Sequence, residues 1–311
     1  MRYITTHGLR KVARPSAIWE ITAPVKAWSM APGLWRDVPG LEKHAGSVTY
    51  EKTVTCAGTL RFCFGGVAGN CRVWLDDALL CEHQGPGAFV GLAREVAWGQ
   101  HRLRLEIGCD QPGCGGFTGA VTIEQMGSAF ISGMKIVTHG DGSADVAVKV
   151  RSLVKKMQVA DVEVTVAGAE LQWKKRLLPP GGEVTLKGSV QTSAALWSRE
   201  NPALHGAEAV LWLEGEPADD LRARVGFPAE MGEAAFTPFP LPQPEGMLQA
   251  VQQAMRDGAQ GLKVTGAPDS LLDICDQLGM SVWDEQPVYE GCHVCAGVFD
   301  PLLGQANRVD P

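Results

Sequence analysis

No stretch of the 311 residues approaches the roughly 18 uninterrupted apolar residues that a membrane-crossing helix needs. The opening MRYITTHGLRKVARP also lacks the apolar core of a secretory signal. The expected location is therefore the cytoplasm, with no membrane partner. Blocks of like charge are missing too: 28 basic residues against 35 acidic ones leave a formal net charge of −7. That balance argues against nucleic acid or an anionic surface as a partner. An even cysteine framework is absent, since the nine cysteines (56, 63, 71, 81, 109, 114, 275, 292 and 295) are odd in number. Several sit in strand-like runs such as LRFCFGG and CRVWLDD, which fits reduced, buried thiols. The seven histidines are scattered and suggest no triad with a serine or cysteine. GGVAG at 65–69 joins two strand-like runs and opens no helix, so it is no phosphate-binding loop. No cofactor is implied.

What is present is β patterning, in a chain long enough for two or three domains of about 100 to 200 residues each. From about 47 to 125, short β-rich runs (SVTYEKTVT, TLRFCFGG, CRVWLDD, HRLRLEIG, GAVTIEQ) are broken by glycine, as in an antiparallel sandwich. Asp76-Asp77 has the place of a hairpin turn. From about 131 to 227 the runs are longer and alternate more strictly (ADVAVKVRSL, ADVEVTVAG, GEVTLKGSV, AEAVLWLEG), the pattern of an immunoglobulin-like sandwich. The proline-rich TPFPLPQPEG then gives way to helix, strand, helix, strand: GMLQAVQQAMRDG, GLKVTG, SLLDICDQLG, MSVWD. Such alternation with short connections belongs to βα-barrels or doubly wound sheets.

APGLWRDVPG, CGGFTGAVTIE, LWSRENPALHG and GLKVTGAPDSLLDICDQLGMSVWDEQP, which follow one another in that order, resemble segments of glycoside hydrolase family 2, the family of β-galactosidases and β-glucuronidases. APGLWRDVPG (31–40) and the run from FGGVAG to LRLEIG (64–108) are similar to its jelly-roll domain. CGGFTGAVTIE is similar to the run into that domain's last strand. LWSRENPALHG resembles the family's Leu-Trp-Ser-x-x-Asn-Pro-x-Leu segment in the middle sandwich. GLKVTGAPDSLLDICDQLGMSVWDEQP resembles the second and third βα units of its barrel. The resemblance implies a mainly β multidomain chain. A jelly-roll, galactose-binding-like sandwich (1–127) precedes an immunoglobulin-like sandwich (128–229) and an incomplete α/β segment derived from a TIM barrel (230–311).

The same resemblance implies a catalytic deficit. A retaining glycosidase needs two carboxyl groups about 5 Å apart that reach opposite sides of one anomeric carbon. In the family both are glutamates on later barrel strands, the acid/base after an asparagine, and no Asn-Glu pair occurs here. The family's second strand usually ends Arg-x-Ser-His-Tyr-Pro, where this chain has Lys263, Val264, Thr265, Gly266, Ala267 and Pro268. Donors lost in this way cost a hydroxyl-binding pocket about 1 to 3 kcal/mol each. Asp284 and Glu285 match the third-strand Asp-Glu that supports the active-site floor. With Lys263, Glu290 and His293 they make up a vestigial floor with no catalytic residue. Glu290 and His293 lie near a magnesium position of some β-galactosidases, but their spacing differs and further carboxylates are lacking, so no metal is expected. Cys292 and Cys295 bracket His293, yet zinc would want a fourth ligand.

Trp98, at a turn, and Trp35 are the candidate sugar contacts of the first domain, whereas Trp74 alternates into its core. The expected role is non-catalytic, binding carbohydrate or acting as a scaffold. The alternative is an N-terminal fragment or subunit of a retaining β-glycosidase that needs the rest of the barrel. Three βα units leave an open strand edge, to be covered by the segment GVFDPLLGQANRVDP, a second copy of the chain or another chain.

Overall fold

A computed structural model describes residues 9–227, 236–241, 246–265, 267, 269–284, 298–300 and 305–306. It divides into two compact units, Arg10–Gly127 and Met1–Leu9 with Ser128–Pro311. The fold is mainly β, in several sheets.

The unit Arg10–Gly127 is organised by two long antiparallel strands, Gly46–Val67 and Gly87–Cys109. Their pairing shifts register at Cys56/Gly58, Gly58/Leu60 and Phe64/Val67, and such bulges bend a strand and increase its twist. The two halves consequently have different neighbours. Ile18–Ala23 and Asn70–Leu75 flank one half, and Val121–Met126 flanks the other. Alternation turns Val48, Tyr50 and Val54 from the first half and Leu60, Phe62 and Phe64 from the second into one core. The network thus folds over itself as a sandwich. Asp76-Asp77 forms a two-residue turn between paired Leu75 and Ala78, with Asp76 at a φ of 54°.

Trp35 lies at the bottom of this core, 0% exposed. Its indole N–H donates to Tyr50 Oη at 2.8 Å, and the Tyr50 and Trp19 rings pack on Phe117 with centroids 4.9 and 5.1 Å away. Gly115 is needed beside it, because a Cβ there would stand 2.5 Å from the Trp35 ring. Trp35 therefore offers no face to a sugar, which corrects the expectation from sequence. Trp74 departs the other way. Cys71, Val73 and Leu75 take the inward positions of its strand, leaving Trp74 half-buried on the outer face under the Arg104 guanidinium, 4.3 Å from the ring.

Residues 129–225 form a seven-stranded, immunoglobulin-like sandwich. Ala129–Thr138, Ser143–Ser152 and Glu183–Gln191 make one sheet. Ala169–Leu178, Gln158–Val166, His205–Leu213 and Glu216–Val225 make the other. The strict alternation seen in sequence buries Val146, Val148 and Val150 against Val162, Val164 and Leu211.

Beyond it, Phe236–Pro238, Gly261–Val264 and Ser281–Asp284 pair in parallel. The helices Met247–Arg256 and Asp269–Leu278 form the crossovers. Leu262, Val264 and Val282 pack on Met247, Val251, Leu271 and Cys275 of those helices. Val298–Asp300 adds a further parallel strand, Val282 opposite Val298, and Gln305–Ala306 returns antiparallel to it. Of the candidates to cover the edge of Ser281–Asp284, the segment that follows it in the same chain is the one that pairs there. Among the described residues no helix is long and apolar enough to cross a membrane.

Trp35→Phe is expected to destabilise the first unit by about 1–3 kcal/mol, since it strips the Tyr50 hydroxyl of a buried donor and leaves a void beside Gly115. Denaturant unfolding, followed by a probe confined to that unit, measures the loss.

Candidate functional site

The carboxyl ends of the parallel strands are where an α/β sheet places its chemistry. Lys263 stands in register with Trp283 and Val264 with Asp284. Alternation sends Leu262 and Val264 to the helices, so Gly261, Lys263 and Trp283 belong to the opposite face. There the Phe236 and Trp283 rings meet with centroids 5.6 Å apart. Gly261 makes room for them, as a Cβ would lie 2.5 Å from the Phe236 ring. The half-buried Lys263 accepts the Phe239 N–H at its carbonyl, 2.8 Å away. The structure therefore brings Lys263 and Asp284 to neighbouring strand ends. Glu285, Glu290 and His293, with Cys292 and Cys295, lie outside the described residues. One strand-end acid was passed over in the sequence: Val298–Asp300 reads Val-Phe-Asp and pairs beside Val282-Trp283-Asp284. The repeated Val-aromatic-Asp was the signal for it.

The helices that carry this sheet are tied to the seven-stranded sandwich by the LWSREN segment. The buried Trp197 donates its indole N–H to the Asp276 carbonyl at 3.0 Å. Arg199 donates to the carbonyls of Met255 at 2.6 Å and Ala259 at 3.3 Å. The last carbonyls of a helix have no partner within it, and a cation there also complements the helix dipole. Gly279, at a φ of 70°, admits the close approach, since a Cβ would stand 2.5 Å from the Ser198 carbonyl oxygen. The sequence showed the motif, but its partners lie 56 to 79 residues away.

In the first unit Trp98 is 81% exposed. Nearby, His101 places Nδ1 2.9 Å from Asp76 Oδ2 and Nε2 2.9 Å from the Ala97 carbonyl oxygen. Both partners are acceptors, so the ring makes both bonds only as the imidazolium. The bond to Asp76, then that to Ala97, raises the His101 pKa. The His101 bond, then the Arg102 backbone N–H, lowers that of Asp76. Two of the thiols are held well away from the thiolate form: burial pushes Cys63 up to about 12 and Cys81 up to about 11. All seven cysteines among the described residues are free, and no group of three potential metal ligands occurs among those residues.

Residues 129–227, the seven-stranded sandwich, match the model of the family described as Glycosyl hydrolases family 2. Two crystal structures of a GH2 β-galacturonidase from Eisenbergiella tayi, bound to glycerol and to galacturonate, are similar to the chain at a TM-score of 0.78 and 23% identity. Each match covers 92% of this chain, and 59% and 60% of the respective relative. A putative β-galactosidase from Bacteroides fragilis is similar at a TM-score of 0.72 and 18% identity, over 89% of this chain and 53% of the other. At these identities the likeness is one of fold. The chain spans little more than half the length of these relatives, and no curated protein matches it significantly in sequence.

Arg199→Ala is expected to cost about 0.5–1.5 kcal/mol, the net range for a hydrogen bond, because the side chain is exposed to solvent. Faster amide exchange in Met247–Arg256, with the strands of residues 129–191 unchanged, checks this. His101 yields a pH prediction. Because its folded pKa is raised above its ordinary value of about 6.5, its contribution is complete below that value and lost as pH rises through the folded pKa. The Asp76 contribution, from a lowered pKa, is lost as pH falls through that value. Amide exchange at Val96–Gly99 should therefore quicken on raising the pH beyond the intrinsic rate change, and His101→Ala should abolish the excess.

Proposed function

We propose that this chain is a family 2 glycoside hydrolase-like protein of carbohydrate metabolism that is non-catalytic on its own, located in the cytoplasm. The two sandwiches act as scaffold or carbohydrate-contacting modules. Asp284 and Glu285 are remnants of an active-site floor, with Lys263, Glu290 and His293 around them. The observation that carries this reading is the composition of the strand ends. The described parallel strands end in Pro238, Val264, Asp284 and Asp300. No Asn-Glu pair occurs anywhere in the sequence to supply the acid/base.

A second reading is supported by the match over 92% of this chain but 59% of the β-galacturonidase. In it, these residues are the amino-terminal portion of a retaining β-glycosidase, and the remaining barrel strands, supplied by another segment or chain, bring both glutamates. A partner chain or second copy would then meet the edge strands of the sheet.

The test is hydrolysis of aryl β-galactosides, β-glucuronides and β-galacturonides. No turnover by this chain under any addition supports the first reading. Turnover appearing only with a second polypeptide that carries the later barrel strands supports the second. Turnover by this chain alone, abolished by Glu285→Gln, would overturn both.

A further inference from the structure

The outer face of the first unit holds a cleft of about 370 Å³ that none of the features above uses. Its floor is main chain. Gly108, on the central strand, stands in register between Ser47 and Asn70, and Glu106, two residues earlier, stands between Thr49 and Arg72. These positions alternate with the buried Val48, Cys71, Leu105 and Ile107, so they face away from the core. The space over Gly108 is open. A Cβ placed there would meet nothing nearer than Ser47 Oγ at 3.6 Å.

The walls offer hydrogen-bonding groups of both kinds. Asn70 accepts the Gly85 N–H through Oδ1 at 2.7 Å, which leaves its amide NH2 as a donor. Arg72 uses Nε on Glu82 at 2.9 Å, and its terminal NH2 groups remain. The Ser47 hydroxyl and the carboxylates of Glu106 and Asp110, which also line the cleft, have no hydrogen-bond partner among the described residues. One cation against two unpaired carboxylates disfavours an anionic ligand, while Arg72 beside Glu106 disfavours a bare metal ion. Trp74, beyond Arg72 on the same strand, cannot serve as a stacking platform because Arg104 occupies its ring face.

The geometry points to a subsite for a neutral, hydroxyl-rich carbohydrate, held by hydrogen bonds without aromatic stacking. This deepens the carbohydrate reading above and rests on it. It places the sugar at Gly108 and Glu106, away from Trp98, which is not part of the lining. Without stacking the affinity is expected near the millimolar level, on the order of 4 kcal/mol of binding free energy.

The experiment titrates the full chain with neutral β-linked tetrasaccharides of galactose, glucose, mannose or xylose, and separately with tetragalacturonate, by ligand-observed NMR and calorimetry. Gly108→Leu fills the cleft from a position where a side chain has room, so the melting temperature should hold while neutral-sugar binding falls about tenfold or more. Glu106→Gln keeps the volume, removes the charge and turns an acceptor into a donor, and should weaken the same binding. Both losses, with tetragalacturonate unbound, support the subsite. Binding untouched by Gly108→Leu but lost in Trp98→Ala overturns the cleft and leaves the carbohydrate reading standing. Preference for tetragalacturonate overturns the charge argument, and with it the neutral ligand. Absence of binding by the unaltered chain overturns the subsite, while the hydrolysis assay decides the wider reading independently.

Discussion

Arg199, within the LWSREN segment, sets the terms for the α/β part of the chain. A parallel sheet is stable when both of its faces are covered, and here the helices that cover one face are short, 10 residues each. Helices of that length are marginal in water on their own. Their ends are held from outside, where Arg199 and Trp197 satisfy carbonyls of Met255, Ala259 and Asp276. Because Leu262, Val264 and Val282 pack on these helices, the strand ends inherit their position from the same clamp. Lys263 and Asp284 are thus placed by residues some sixty positions or more earlier in the chain, and the sandwich and the sheet behave as one structural argument.

The parts of this fold that were legible in sequence are those set by local pattern. Strict alternation identified the strands of the seven-stranded sandwich, and Gly258 and Gly279 marked the ends of two helices. Asp76-Asp77 was readable because a two-residue turn leaves few options. What escaped was set by distance. SVTYEKTVT and TLRFCFGG look like two strands with glycine between them, but Gly58 sits in a bulge and the pair is a single strand, Gly46–Val67. A bulge keeps the hydrogen-bonded path continuous while breaking the period-two signal. Trp35 looked available because its partner Tyr50 is a tertiary neighbour, and Trp74 looked internal because alternation has no absolute phase until a core residue fixes it.

The candidate site was legible to a smaller extent, for a physical reason. A strand end is visible in sequence as an apolar run that stops at a polar residue, which is how Asp284 was found. The groups that would make a site at that place come from several strands, and their register appears only after folding. The three-residue strand Val298–Asp300 is too short to show periodicity, so Asp300 was overlooked although it repeats the Val-aromatic-Asp pattern.

That arrangement also limits the chemistry these strand ends could support. Neighbouring parallel strands lie about 4.8 Å apart, close to the separation of about 5 Å between the two carboxyl groups of a retaining glycosidase. Distance alone would therefore admit a pair of groups at two neighbouring strand ends. Direction argues against it. The nucleophile and the acid/base approach one anomeric carbon from opposite sides, whereas groups at the ends of adjacent strands reach a ligand from the same flank. Opposed approach requires strands that face each other across a closed or strongly curved sheet. The described strands run side by side in one open order from Phe236–Pro238 to Gln305–Ala306, and the ring contact that spans an intervening strand, Phe236 on Trp283, is apolar. Supporting a sugar that other groups attack is within the reach of such a set, and this is the division of labour that separates a floor from a catalytic pair.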